Sequence, residues 1–152
     1  MQGGLSEIEP GPFSTRLFDT NIVSELRKAE RANAGVSALV DALDADDARV
    51  YLSVITLGEL RRGVDLLRHR GDVSQAERLE HWLDAVVDEY AERILDFGRE
   101  ESLLWGRLRV PHPENALDKQ LAATALINDL TLVTLNTGDF VATGVKLLNP
   151  FL

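Results

Sequence analysis

Leu130-Thr131-Leu132-Val133-Thr134, running on into Leu135-Asn136-Thr137-Gly138-Asp139-Phe140, is the stretch from which the fold of this chain is read. Its first five residues are almost all apolar or β-branched. That pattern belongs to a strand buried on both faces, as in the middle of a parallel sheet. The polar turn after it ends at Asp139, so a carboxylate follows the strand's carboxyl end. Working outward, the preceding segment opens at Asp118 and places Leu121, Ala122, Ala125 and Leu126 at helical spacing. Its small residues let a helix lie close to a neighbour. A helix followed by a central strand is the repeating unit of an α/β fold.

The same unit recurs towards the N-terminus. Thr15-Arg16-Leu17-Phe18 reads as a short strand ending at Asp19, with Ile22, Val23, Leu26 and Ala29 on one helical face after it. A second helix runs through Val36, Leu39, Val40 and Leu43 into an acidic turn at 44–47. Val50-Tyr51-Leu52-Ser53-Val54 is rich in strand formers. Thr56 is then expected to cap a helix that carries Leu57, Leu60, Val64 and Leu67 and stops at Arg70-Gly71. Ala76, Leu79, Trp82, Leu83, Val86, Val87 and Tyr90 form the strongest apolar stripe in the chain. A strand at 93–97, a helix from Glu100 to Arg109, a loop broken by Pro111 and Pro113, and a last strand at 145–148 complete the series. The expectation is an α/β/α three-layer sandwich around a mostly parallel sheet, formed by residues 15–152. Residues 1–14, with Gly3, Gly4, Pro10, Gly11 and Pro12, read as a flexible tail.

Composition narrows the function. The chain has 152 residues, 45% of them hydrophobic, which suits one folded domain. Its net charge of −9, from 16 basic and 25 acidic residues, argues against a broadly basic nucleic-acid surface. A bound divalent cation or a basic partner would offset part of that charge. With no cysteine, disulfides and thiolate metal sites are excluded. The N-terminal residues lack a signal-peptide pattern, and no apolar run reaches spanning length, so a soluble cytoplasmic protein with no membrane association is expected. His69, His81 and His112 lack metal-ligand spacing, and no glycine-rich phosphate loop is present.

Four acids remain. Asp19 ends a strand and is placed either to face a ligand crevice or to cap the helix behind it. Glu59 stands beside an apolar stripe and fits either a cleft or a capping box with Thr56. Asp118 opens a helix, where an acid also complements the dipole. Asp139 fits a site or an Asx turn. Each has a structural explanation alone. Together they would converge at one sheet edge, and four converging carboxylates call for a hard divalent cation with oxygen ligands. Asn21, Thr134 and Asn136 are the polar neighbours placed to orient them, although Asn21 would equally serve its turn and Thr134 its strand. Arg61, Arg62, Arg68 and Arg70 form a basic run, read first as a solvated face and otherwise as a contact to an RNA backbone or part of a partner groove.

The blocks Leu17-Phe18-Asp19-Thr20-Asn21-Ile22-Val23-Ser24-Glu25, Leu52 to Leu60, Asp118 with Ala122-Ala123-Thr124-Ala125, Leu132-Val133-Thr134 through Asp139-Phe140, and Gly144 to Pro150 occur in an order that resembles the PIN-domain family. The likeness is to its VapC and FitB-like toxins and covers all of the chain after the tail. It implies a Mg²⁺- or Mn²⁺-dependent ribonuclease, with Asp19, Glu59, Asp118 and Asp139 as the acidic quartet. It also implies the toxin of a toxin–antitoxin module, a homodimer inhibited by a VapB-type antitoxin in a hetero-oligomer that meets DNA only through that antitoxin. The alternative is a non-catalytic partner module acting in transcriptional regulation. Two positions depart from the family pattern. Leu135 stands where arginine is frequent, and Lys119 follows Asp118 where an apolar residue is usual. Lys119 is expected either to compete with the cation or to contact phosphate.

Overall fold

A computed structural model describes residues 15–45 and 49–152. The expected tail at 1–14, and Asp46 and Asp47 of the acidic turn at 44–47, lie outside the described residues. Five strands form one sheet: β1 (Arg16–Phe18), β2 (Val50–Ser53), β3 (Ile94–Leu95), β4 (Thr131–Val133) and β5 (Leu147–Leu148). Every pairing is parallel, in the order β3-β2-β1-β4-β5. The registers Leu17 with Leu132 and Phe18 with Val133 place β1 and β4 side by side at the centre. All five strands are buried or partly buried, as sheets covered on both sides require.

Alternation along the strands builds two cores. Phe18, Leu52 and Val133 join one cluster with Ile22, Val36, Leu60, Val64 and Leu83. Leu17 and Leu132, their neighbours in sequence, join a second cluster with Leu121, Ala122, Ala125, Phe140 and Leu147. Successive strand side chains point to opposite faces, so two separate clusters mean a helical layer on each side. The first layer is α1 (Thr20–Leu26), α2 (Ala34–Ala45), α3 (Val54–His69) and α4 (Val73–Glu89). The second is α5 (Arg99–Leu108) and α6 (Ala116–Ile127), which pack on each other, as α3 packs on α4. The expected three-layer α/β/α sandwich is the fold observed.

Several boundaries differ from the sequence reading. Helix α3 begins at Val54, with Ser53 as its cap: the Ser53 hydroxyl accepts from the Ile55 amide at 3.0 Å. Thr56 is therefore inside the helix and fully buried, and the capping-box reading of Glu59 falls with it. Helix α1 stops at Leu26 because Ala29 takes a positive φ of 53° and opens a separate short turn. The strands at 93–97 and 145–148 shrink to two residues each, where the edges of the sheet offer a partner on one side only.

The end of the chain is tied across the first helical layer. Asn33 accepts from the Leu152 amide and donates to the Leu152 carbonyl, both at 3.1 Å. Gly35 lies directly beneath: a Cβ there would fall 1.9 Å from the Pro150 carbonyl oxygen. Glycine is required at this position by close backbone approach rather than by its dihedral angles.

Candidate active site

The strand order reverses between β1 and β4, since their connections depart to opposite sides of the sheet. In open parallel sheets the crevice outside such a switch point receives ligands. Here Asp19 follows β1 and Thr134 follows β4, so a carboxylate and a hydroxyl arrive at that point directly from adjacent central strands.

Asp19 is 6% exposed and Thr134 is fully buried. The Thr134 hydroxyl donates to Asp19 Oδ2 at 2.8 Å and accepts from the Asn136 amide at 3.0 Å. Asp19 Oδ1 accepts from the Thr20 amide at 2.6 Å, and Asn21 Nδ2 donates to Oδ2 at 3.3 Å. Asn21 Oδ1 in turn accepts from the Leu135 amide at 3.2 Å, which fastens the turn after β4 to the start of α1. Both readings of Asp19 are thus realised: it caps α1 and also stands in the crevice. Burial raises its pKa, with Glu59 adding to the rise, against the lowering by Thr134, Thr20 and Asn21.

Glu59 and Asp118 are brought in by the flanking helices. Thr20 donates its hydroxyl to that of Thr56 at 3.3 Å, linking α1 to α3 one turn before Glu59. The sequence reading assigned Thr56 a cap and missed this contact. Three bonds among the end of α5, the loop and the start of α6 fix where α6 begins. Trp105 Nε1 donates to the Ala116 carbonyl at 2.9 Å, Arg109 Nε donates to the Pro113 carbonyl at 3.2 Å, and Lys119 Nζ donates to the His112 carbonyl. Lys119 is 8% exposed and turned into that loop. This corrects the expectation that it competes with a cation or meets phosphate: its ammonium is used to hold the chain ahead of Asp118. Asn115, at φ 58°, makes the sharp entry into α6 and leaves Asp118 in the first turn.

The cleft bounded by these elements is about 540 Å³ and is lined by Asp19, Asn21, Glu59, Asp118 and Asn136. Apolar Ile55, Leu117, Leu121, Leu135 and Phe151 line it too, together with Thr20, Ser24 and a Glu25–Lys28 ion pair of 2.9 Å. Of these, Ser24, Phe151 and the apolar wall carried no chemical motif that would have drawn attention in the sequence. Asp139 lies outside the lining, exposed at the end of the short turn Thr137–Asp139. It still acts on the site. The Asp118 pKa is raised from 3.8 to about 6 by burial first, then by the charges of Asp19, Asp139 and Glu59. The other three acids are therefore within electrostatic reach of Asp118, and among the described residues no basic group offsets them there.

The donor set is all oxygen, which suits a hard divalent cation rather than a soft one. Among the described residues no group of three or more Asp, Glu or His side chains is gathered tightly enough to enclose a metal ion. The fit lies in charge and donor type: an uncompensated acidic cleft that a cation would relieve, open enough for water to complete the coordination.

A family model described as PIN domain matches residues 16–146. The chain belongs to the PIN-domain family. It is similar to the toxin FitB of Neisseria gonorrhoeae, 37% identical over 141 residues that cover 89% of this chain and 97% of the relative. It is also similar to the VapC ribonuclease Y4jK of Sinorhizobium fredii, 33% identical over 142 residues covering 89% and 96%. Among solved structures, a chain of FitAcB from Neisseria gonorrhoeae superposes with a TM-score of 0.75 at 36% identity, covering 88% of this chain and 96% of that one.

Proposed function

We propose that this chain is the toxin of a VapBC- or FitAB-type toxin–antitoxin module, a ribonuclease that uses Mg²⁺ or Mn²⁺. The observation that carries the reading is that Asp19, Glu59 and Asp118 line one cleft, with the Asp139 charge also reaching Asp118 and no basic group among the described residues offsetting them there. The relatives named as a toxin and as a VapC ribonuclease support the same activity. Asp19, Glu59 and Asp118 would hold the cation, and Asp139 would add its charge from the rim. When bound, the cation supplies Lewis-acid chemistry, polarising the phosphodiester and acidifying water.

The remaining work falls to the chain itself. Thr134, Asn21 and the Thr20 amide hold the Asp19 carboxylate in one orientation before any ligand arrives. Such preset orientation is what outer partners contribute at metal sites. Asp118, with a pKa near 6, carries a proton at mildly acidic pH and is anionic above it. The apolar wall of Ile55, Leu117, Leu121 and Phe151 limits water around the acids and leaves room for a sugar or base. An acidic cleft also suits an inhibitor that brings a cation. A VapB-type antitoxin with a basic segment fits that description, and DNA contact would come through the antitoxin; a solved relative of this fold is FitAB bound to an IR36 DNA fragment.

The test is cleavage of total cellular RNA by purified wild type and Asp19→Asn, without antitoxin, in Mg²⁺, in Mn²⁺ and in chelator. Discrete products from wild type alone, abolished by chelator, are expected. A folded wild type that leaves RNA intact in both metals would return the chain to the non-catalytic partner role.

A further inference from the structure

The basic run on α3 is divided by the structure. Arg61 and Arg68 both reach Glu80 on α4, at 2.7 and 2.9 Å, and both also approach Asp65. Arg62 is exposed and forms no ion pair or hydrogen bond among the described residues. It lines a groove of about 270 Å³ with Val54, Ile55, Gly58, Glu59 and Leu117. Ile55, Glu59 and Leu117 also line the acidic cleft, so the groove runs directly out of it.

Gly58 is an independent observation on the same groove. It stands inside α3, where glycine weakens a helix relative to alanine. Its backbone is helical, and a Cβ there would meet no atom within 4 Å. Nothing within the fold requires glycine at this position, in contrast to Gly35. A bare backbone beside Glu59 instead allows a ligand to lie against the helix.

We propose that this groove is the track on which the RNA strand leaves the acidic cleft, with Arg62 holding a phosphate adjacent to the scissile one and Gly58 providing the floor. The inference rests on the ribonuclease reading above and adds the path of the substrate. Arg62 is the cation of the groove, and its one acid, Glu59, is shared with the cleft where the proposed metal would take it up. A guanidinium at the groove attracts a polyanion and repels the basic segment of an inhibitor. It also supplies a phosphate contact that the cleft lacks, since Leu135 in its lining offers no charge and Lys28 is paired with Glu25.

Steady-state cleavage of a short fluorescein-labelled RNA of mixed sequence, followed across a salt series, tests this. Arg62→Ala is expected to raise KM roughly tenfold with kcat little changed, and to reduce the slope of log binding against log salt by roughly 0.7. Arg62→Lys should keep the slope. Gly58→Leu should raise KM while the melting temperature holds or rises. Arg61→Ala, already paired within the fold, should change neither KM nor slope. Wild-type KM and slope in both Arg62→Ala and Gly58→Leu would overturn the groove while leaving the ribonuclease intact. Should wild type cleave nothing, the parent reading fails, and anisotropy of the same RNA on wild type and Arg62→Ala decides the groove alone: equal affinity overturns it. Loss of antitoxin affinity in Arg62→Ala, with RNA KM unchanged, would assign the groove to a peptide and overturn it equally.

Discussion

On the hairpin of α3 and α4, Arg61 and Arg68 close on Glu80 and hold its carboxyl below the usual range. At the edge of the sheet, Asp19, Glu59 and Asp118 line one cleft with Asp139 outside its lining, and their charges together with burial push Asp118 up to about 6. The two regions carry similar numbers of charged groups and treat them in opposite ways. Exposed and paired charges relax into mutual contact and contribute little to stability. Half-buried like charges cannot relax in this way, and their unrelieved repulsion is what a bound cation would answer. The sign of the displacement, rather than the count of acids, separates a helix-pairing surface from a site.

The largest expected effect comes from breaking the acidic side of this contrast. Asp19→Asn should lower metal-dependent RNA cleavage by more than about a hundredfold, because it removes a central donor charge. Asn serves an N-cap as well as Asp does, so helix α1 should survive. Circular dichroism and melting in chelator should match wild type. A collapse of the fold would mean that the fold itself needs the Asp19 carboxylate to accept from Thr134 and Asn21.

Next in size is Thr134→Val, which keeps shape and removes the hydroxyl between Asp19 and the Asn136 amide. Cleavage should fall by about ten- to a hundredfold, as for outer partners of metal ligands. Stability should fall by about 1–3 kcal/mol from the buried groups left unpaired. Thr134→Ser should recover most of the activity. Equal loss in Val and Ser variants would show that Thr134 matters through packing alone.

Most of this arrangement was legible in the sequence because its signals are local. The run Leu130 to Thr134 is too apolar for an exposed strand, and acids directly after strands lie at the carboxyl edge of any parallel sheet. The misreadings share one cause. Thr56 and Ser53 are both good caps, and only the point at which β2 leaves the sheet decides between them. Lys119 follows Asp118 in sequence, yet a helix turns consecutive residues about 100° apart, and the ammonium ends on the His112 carbonyl. Phe151 reaches the cleft through Asn33 and Gly35, more than a hundred residues away, by contacts that no local pattern encodes.

The pH dependence of stability sharpens the comparison further. Asp118 has a folded pKa near 6 and an ordinary value of 3.8, so the folded state binds its proton more tightly. Its contribution is fully present below the unfolded value and is lost as pH rises through about 6. In chelator, Asp118→Asn should therefore melt with wild type near pH 4 and above it near pH 8. Added Mg²⁺ or Mn²⁺ should raise the melting temperature of wild type at the higher pH and do less for the variant. A variant less stable than wild type at both pH values would mean that Asp118 supports α6 as a first-turn acid instead.

The smallest effects distinguish the two regions by sign. Glu59→Gln removes a charge that raises the pKa of both Asp19 and Asp118. Because Ser53 caps α3, no capping box is lost with it. Its melting temperature in chelator should equal or slightly exceed that of wild type, while cleavage falls. Glu80→Gln removes the common partner of Arg61 and Arg68, so its melting temperature should fall slightly while cleavage is retained. Both substitutions replace one carboxylate on the α3–α4 hairpin with an amide of the same shape. If both move stability in the same direction, the acidic cleft is no more strained than the hairpin surface, and the case for an external cation loses its electrostatic ground. Opposite signs would mean that the fold answers one glutamate itself and leaves the other to be answered by a ligand.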